Sequence, residues 1–139
     1  MERFFYIILI FIILGCSGKI SDTDLQQLNG YWEIENVTFA DGSTKAYNVN
    51  TTVDYIEIDG LKGFRKKVKP KFDGTYDTSN DAEFFTLEHQ NDSFIIHYKN
   101  DLSEWTEALT QLSRTNFAVV GENNTTYHYR RYEPINIQE

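Results

Sequence analysis

Few residues in this sequence have the types and spacing that catalysis or metal binding would require. The three histidines, His89, His97 and His128, form no H-x-H pattern, and a second cysteine is missing, so a metal site is not expected. Acidic residues two apart, such as Glu33 and Glu35, share a strand face and could do acid–base chemistry, but a solvated outer face explains them better. The sequence contains no G-x-S-x-G, no phosphate-binding loop and no nucleophile beside a base. We therefore expect a protein that is not an enzyme and has no cofactor.

Near the carboxyl end, Arg130 and Tyr132 lie two residues apart and hence on one face of a strand. A guanidinium and a phenol in this arrangement could both bind one carboxylate inside a barrel. The pair resembles the carboxylate-binding R-x-Y pair on the last strand of fatty-acid-binding proteins. The alternatives are that the arginine packs on a tryptophan or is solvated.

The only cysteine, Cys16, follows an apolar run that extends from Phe4 to Leu14. The run has 11 residues, whereas a transmembrane helix needs about 20. Its proportions are those of a signal peptide, which we assign to residues 1–15 as a helix. Residues 13–16, Ile-Leu-Gly-Cys, resemble a bacterial lipobox, in which the thiol is alkylated by diacylglycerol and the peptidase cuts before the cysteine. The resemblance implies that Cys16 is lipidated and is the first mature residue.

The predicted lipid anchor sets the expected location and partners. Several acyl chains on Cys16 would hold the protein stably at a membrane. Ser17, rather than aspartate, favours the outer membrane of the cell envelope by resemblance to enteric lipoproteins, and the periplasmic and surface faces both stay open. Residues 16–27 are polar and are expected to form a tether, followed by one domain over 28–139. The net charge of −8 and the lack of a dense basic surface argue against nucleic acid as a partner.

The mature chain has the pattern of an all-β protein. Segments rich in Val, Ile, Phe, Tyr and Trp recur every 8–12 residues between turn signals such as Asp-Gly and Asn-Asn. This spacing is typical of an antiparallel sandwich or barrel. We predict strands near 31–39, 45–49, 53–58, 62–69, 71–77, 82–90, 93–99, 104–113, 116–121 and 125–132.

One predicted hairpin can be worked out by register. If Asn91-Asp92 is a two-residue turn, Gln90 faces Ser93 and every later pair is fixed. One face is then a continuous apolar surface that could form the wall of a core. Its members are Phe85, Leu87, His89, Phe94, Ile96 and Tyr98.

Two segments have alternative interpretations. Residues 101–113 place Trp105 and Leu109 at helical spacing, but we favour a strand because the neighbouring segments are β. The basic segment from Phe64 to Phe72 could contact lipid phosphates or an anionic partner. Lysines with a proline more often protect an edge strand, and we favour that interpretation.

The stretch Gly30-Tyr31-Trp32 has the G-x-W form that opens the first strand of lipocalins. The resemblance implies that Gly30 lets the chain enter the barrel closely and that Trp32 plugs the closed end. It also implies that an arginine of the last strand, here Arg130 or Arg131, packs over the indole. A guanidinium on an indole contributes about 0.5–2 kcal/mol and would join the first strand to the last.

The sequence is similar to small lipocalin-like lipoproteins of Gram-negative bacteria over most of residues 25–132. The shared motifs are Leu28–Trp32, Phe72–Tyr76 and Leu109–Val119. The resemblance implies an all-β fold, a small antiparallel barrel of about eight to ten strands, and no established activity.

Two functions remain open. The barrel could bind a small apolar ligand, and its lining would then be Phe85, Leu87, Phe94, Ile96, Tyr98, Arg130 and Tyr132. Alternatively, the barrel is filled with side chains and serves as a structural or protein-interaction module of the envelope. The mature chain has more aromatic residues than a small core needs, which suits either a lined cavity or a contact surface.

Overall fold

A computed structural model describes residues 19–134 of the protein. The predicted signal peptide and Cys16 lie outside the described residues, as do residues 135–139. One 3-10 helix and ten β-strands follow in chain order. The helix is Asp24–Leu28, and strands β1 to β10 are Gly30–Thr38, Thr44–Ala46, Val53–Asp59, Lys62–Pro70, Tyr76–Thr78, Glu83–Gln90, Ser93–Lys99, Glu104–Leu112, Asn116–Gly121 and Thr126–Arg131.

Eight of the strands form a closed antiparallel barrel. Their order is β10-β9-β8-β7-β6-β4-β3-β1, and β10 pairs with β1 to close the sheet. The two short strands β2 and β5 extend β1 and β4 beside this closed path. The prediction of a small all-β antiparallel barrel with eight to ten strands is therefore confirmed.

The β6–β7 hairpin has the register that the sequence predicts. Gln90 pairs with Ser93, and Phe85 pairs with Tyr98 at the other end of the ladder. Asn91 in the turn has φ 55°, the left-handed conformation that asparagine tolerates better than most residues. Of the predicted apolar face, all members except the exposed His89 are buried.

Residues 104–112 form strand β8, so the helical alternative for 101–113 is wrong. The edge-strand prediction for the basic segment is also wrong, because β4 lies inside the sheet. It pairs with β3 on one side and with β5 and β6 on the other. The segment is basic for a different reason: Lys67 and Lys69 are exposed to solvent, while Arg65 is buried.

The closed end of the barrel is sealed by residues that were predicted to be a tether. Leu25 and Leu28 of the 3-10 helix are 1% and 2% exposed, and Ile20 before them is also buried. The main-chain N–H of Ile20 donates to the carbonyl of Asp92 in the β6–β7 turn. The prediction of a polar tether over 16–27 is thus wrong from Ile20 onward, because the few apolar residues of this segment all turn into the core.

Gly30 and Trp32 join this helix to the first strand. The Trp32 indole is fully buried, and its N–H donates to the carbonyl of Leu28 at 2.8 Å. Gly30 has φ 121°, a backbone conformation open to glycine, and a Cβ there would lie 2.7 Å from a guanidinium nitrogen of Arg131. Glycine is therefore required both by the backbone and by the close approach of the last strand.

Candidate binding site at the open end of the barrel

The barrel interior has an apolar half and a polar half. In the apolar half, which includes the closed end, Trp32 packs edge-on against Phe117 at 4.7 Å, and Phe117 stacks on Tyr129 at 4.6 Å. Most of the predicted ligand-lining residues belong to this packed core, namely Phe85, Leu87, Phe94 and Ile96. The expected apolar cavity along them is therefore occupied by the protein's own side chains.

A cavity of about 410 Å³ lies in the polar half, toward the open end. Of the predicted lining residues, Tyr98 contributes to it. Its other walls come from β3, β4 and β8 and from the segment that leads into β6. The lining residues are Asp54, Arg65, Lys66, Lys67, Ser79, Asp81, Glu83, Tyr98, Trp105 and Glu107.

Arg65 is the centre of the polar network and is 8% exposed. Its guanidinium donates to Asp54 Oδ2 at 2.8 Å and to the Tyr129 hydroxyl at 2.6 Å. A longer contact of 3.5 Å joins it to the Tyr98 hydroxyl. Burial lowers the pKa of Arg65, but the neighbouring oxygens outweigh it and hold that pKa well above its ordinary value. Arg65 is therefore a permanent buried cation.

Asp54 is held by two cations. Arg65 binds one carboxylate oxygen, and Lys67 Nζ lies 2.7 Å from the other. Burial raises the pKa of Asp54, but the charges of Arg65 and Lys67 outweigh burial and keep it below its ordinary value. Asp54 is therefore ionised at neutral pH, and its main role is to compensate Arg65.

Glu107 differs from Asp54 in having no ion-pair partner among residues 19–134. Its Oε2 is buried and accepts no hydrogen bond from that part of the chain. Burial raises the pKa of Glu107, and the Arg65 charge and the Tyr98 hydroxyl oppose this only in part. The cavity wall thus contains a carboxylate oxygen with unused acceptor capacity, which is costly in a buried position.

Two aromatic rings lie beside Glu107. Trp105 stacks on Tyr98 with ring centroids 5.0 Å apart and planes 8° from parallel. Trp105 and Glu107 are two residues apart on β8 and share its inner face, as the pairing of Trp105 with Tyr98 requires. The half-buried indole therefore extends the cavity wall next to the carboxylate.

The two arginines of the last strand point in opposite directions. The Arg131 guanidinium lies 3.8 Å from the centre of the Trp32 ring and donates to the carbonyls of Gln27 and Asn29. It is thus Arg131, of the two candidates, that joins the last strand to the first and also holds the end of the 3-10 helix.

Arg130 and Tyr132 do not line the interior, so the prediction of a carboxylate-binding pair is wrong. Strand alternation places Tyr129 and Arg131 inside and Arg130 outside. There Arg130 Nε donates to Glu33 Oε1 on the neighbouring strand at 2.7 Å. Tyr132 lies near Tyr76 instead, with ring centroids 6.5 Å apart.

The outer surface has two further features. A groove of about 670 Å³ runs over β6, β7 and β8, and its lining combines outward residues such as Thr86 and His97 with the inward residues Phe85, Tyr98 and Trp105. A continuous aromatic row crosses the outer face of the sheet, with neighbouring ring centroids 4.3 to 6.5 Å apart. Its members are Tyr132, Tyr76, Tyr31, Tyr55, Phe64 and Phe84.

Sequence reasoning missed the buried charged residues of the cavity. The signal was a charged residue in phase with apolar ones on a strand: Asp54 precedes Ile56 and Ile58, and Glu107 lies between Trp105 and Leu109. Such a residue faces the interior and must find a partner there. Arg65 lies among lysines, and no comparable pattern predicted that it faces the interior.

Within residues 19–134, no group of three or more histidine, cysteine, aspartate or glutamate side chains is placed to bind a metal ion. The same part of the chain has no helix of the length and apolar character that a membrane crossing requires.

Comparisons with known proteins find similarity at the level of structure. Neither a protein-family model nor a curated protein matches the sequence. A lipocalin-like protein from Bacteroides uniformis is similar in structure, with a TM-score of 0.48 and 16% identity, over 76% of this chain and 99% of that one. An uncharacterized protein from Bacteroides eggerthii has a TM-score of 0.48 and 14% identity, over the same shares of the two chains.

Proposed function

We propose that this chain is a membrane-tethered lipoprotein of the Gram-negative envelope whose lipocalin-like barrel binds a small ligand at its open end without catalysing a reaction. The observation that carries the proposal is the cavity of about 410 Å³ with buried Arg65 and Asp54 and half-buried Glu107 in its wall. Its volume is within the range of small-molecule sites, which combine an apolar wall with a few convergent polar groups. Burying charged residues is costly, and a purely structural core would be more stable without them.

The lipid anchor is proposed at Cys16, and it has a consequence for orientation. Four peptide units separate Cys16 from Ile20, which is bonded to the β6–β7 turn at the closed end. Such a segment spans at most about 14 Å. With lipid on Cys16 the closed end therefore lies against the membrane, and the open end with its cavity faces away from it.

The non-enzymatic part of the proposal is supported by the state of the cavity's charged groups. Asp54 is neutralised by two cations and has a lowered pKa, which makes it a poor general base. Glu107 lies beside the aromatic rings of Trp105 and Tyr98. These groups suit recognition of a bound molecule better than proton transfer.

A second candidate function is an interaction module of the envelope with a filled barrel. Two observations favour it: the packed apolar half of the interior, and the outer aromatic row that ends at Phe84, which is 64% exposed. In that case the cavity is the water-filled opening of the barrel, and an envelope protein contacts the outer surface.

Native mass spectrometry of the protein purified from its own host separates the two functions. We expect a retained small molecule that is released on unfolding. Protein that carries no bound mass, and that recovers an envelope protein on gentle extraction, would favour the interaction module.

Lipidation has its own test, because the anchor and the ligand site are independent. We expect metabolic labelling with a radioactive fatty acid to mark the wild-type protein and to leave Cys16→Ser unlabelled. Labelling of Cys16→Ser, or a wild-type protein that stays unlabelled, would refute the anchor and leave the ligand site standing.

A further inference from the structure

The charges around the cavity are unequally satisfied, and this inequality indicates the chemistry of the ligand. Arg65 and Lys67 each contact one oxygen of Asp54, so both oxygens of that carboxylate have a cationic partner. Glu107 keeps a buried oxygen without a donor from residues 19–134. The unused group in the wall is therefore an acceptor with negative charge when ionised, and its complement is a cationic N–H donor.

The neighbouring rings favour the same kind of ligand. Trp105 and Tyr98 form a parallel stack on the same inner face as Glu107. The face of an indole attracts a cation, and the attraction increases when the cation is desolvated. A flat ring or short alkyl part of a ligand would also pack on this wall, since stacked and apolar contacts both suit an aromatic surface.

An anionic ligand fits less well. The Arg65 guanidinium already donates to Asp54 and Tyr129 at 2.8 and 2.6 Å, so a ligand carboxylate would compete with contacts that hold the network together. It would also lie near Glu107 and near Glu83 and Asp81 on the cavity rim. Like charges at such distances are unfavourable in a partly desolvated site.

We propose that the open-end cavity binds a small organic ammonium ion, whose N–H donates to the free oxygen of Glu107 and whose body packs on Trp105. This inference rests on the proposed function, because it specifies the ligand class of the same cavity. It replaces the purely apolar ligand that the sequence suggested with one that has a cationic end and an apolar body.

Isothermal titration calorimetry with three probes of one shape tests this assignment. Benzylamine has an ammonium, benzoate a carboxylate and benzyl alcohol a neutral hydroxyl on the same ring. We expect benzylamine to bind about tenfold or more tightly than either of the others, because it alone makes a charge-assisted bond to Glu107. Tighter binding of benzoate would overturn the ammonium assignment while ligand binding as such would stand.

Two matched variants locate the contact. Glu107→Gln keeps the shape and removes the charge, and we expect it to weaken benzylamine by about tenfold and leave benzyl alcohol unchanged. Glu104→Gln lies on the same strand on the opposite face, pairs with exposed Lys99, and is expected to bind benzylamine like the wild type. Equal affinity of Glu107→Gln and the wild type for benzylamine would overturn the proposal.

The pH dependence supplies a readout that a structural role for Glu107 would not give. Because benzylamine stays protonated at and below neutral pH, its affinity for the wild type is expected to rise with pH as Glu107 ionises. Glu107→Gln is expected to show a flat profile over the same range. If none of the probes binds while host-purified protein retains a small molecule, the ammonium assignment fails alone; if host-purified protein is also empty, the proposed function fails with it.

Discussion

Substituting Arg65 by methionine tests whether the buried ion network holds the open half of the barrel together. Methionine has a similar length and no charge, so the main change is that Asp54, 2% exposed, loses its buried partner. Removing one member of a buried pair costs about 3–5 kcal/mol. Lys67 still lies 2.7 Å from Asp54, and we therefore expect a loss of about 3 kcal/mol.

The assay is urea unfolding followed by tryptophan fluorescence, with a double-mutant cycle. Arg65→Met combined with Asp54→Leu removes both charges, and we expect the double variant to recover about 2 kcal/mol relative to the sum of the single variants. Lys67→Met is the control, since its side chain is 68% exposed and its contribution is expected to be below about 1 kcal/mol.

The effect has a defined pH window. The pKa of Asp54 is lowered in the folded protein. The stability that ionised Asp54 provides is therefore fully present above the ordinary carboxyl pKa of about 3.9, and it is lost as pH falls through the pKa of Asp54 in the folded protein. The difference between the wild type and Arg65→Met is therefore expected to shrink below about pH 4. A loss under about 1 kcal/mol at pH 7, or additive single variants, would refute the reasoning.

Four further variants test other parts of the molecule, each by the same unfolding measurement. Glu107→Gln is expected to raise the free energy of unfolding by about 1 kcal/mol at pH 7.5. The pKa of Glu107 is raised in the folded protein, so its ionisation destabilises the fold as pH rises through the folded pKa. The gain should vanish near pH 4, and a gain that persists at pH 4 would contradict the assignment. Arg131→Met should lower the free energy of unfolding by about 2–3 kcal/mol, because it removes the indole contact and the hydrogen bonds to the end of the 3-10 helix. Arg130→Met on the outer face should lower it by under about 1 kcal/mol. Equal losses for the two variants would refute the role of Arg131 in closing the barrel. Leu25→Ala should lower the free energy of unfolding by about 2–5 kcal/mol because the Leu25 side chain is 1% exposed. An unchanged free energy of unfolding would support the predicted tether instead.

Much of the barrel could be predicted because strand alternation and turn chemistry are local. The β6–β7 hairpin follows from one two-residue turn, and its whole ladder is fixed once Gln90 faces Ser93. The same local logic identified β8 despite its helical spacing of apolar residues. β5 begins only at Tyr76, later than expected, because Asp73 accepts bonds from Thr75 and forms a turn before it.

The cavity could not be predicted because it depends on contacts between distant strands. Arg65 and Tyr129 are 64 residues apart, and their hydrogen bond depends on where β4 and β10 lie around the barrel. Strand alternation gave Arg130 and Tyr132 a common face, but which face turns inward is set by the pairing of Trp32 with Arg131. The tether prediction was wrong because two apolar residues in a polar segment, Ile20 and Leu25, gave too weak a local signal.

A crystal structure of the protein purified from its own host tests the binding cavity most directly. We predict continuous non-protein density between Glu107 and Trp105, with a nitrogen atom at hydrogen-bond distance from Oε2 of Glu107. A cavity that contains ordered water alone, or a ligand seated elsewhere on the barrel, would contradict the assignment of this site.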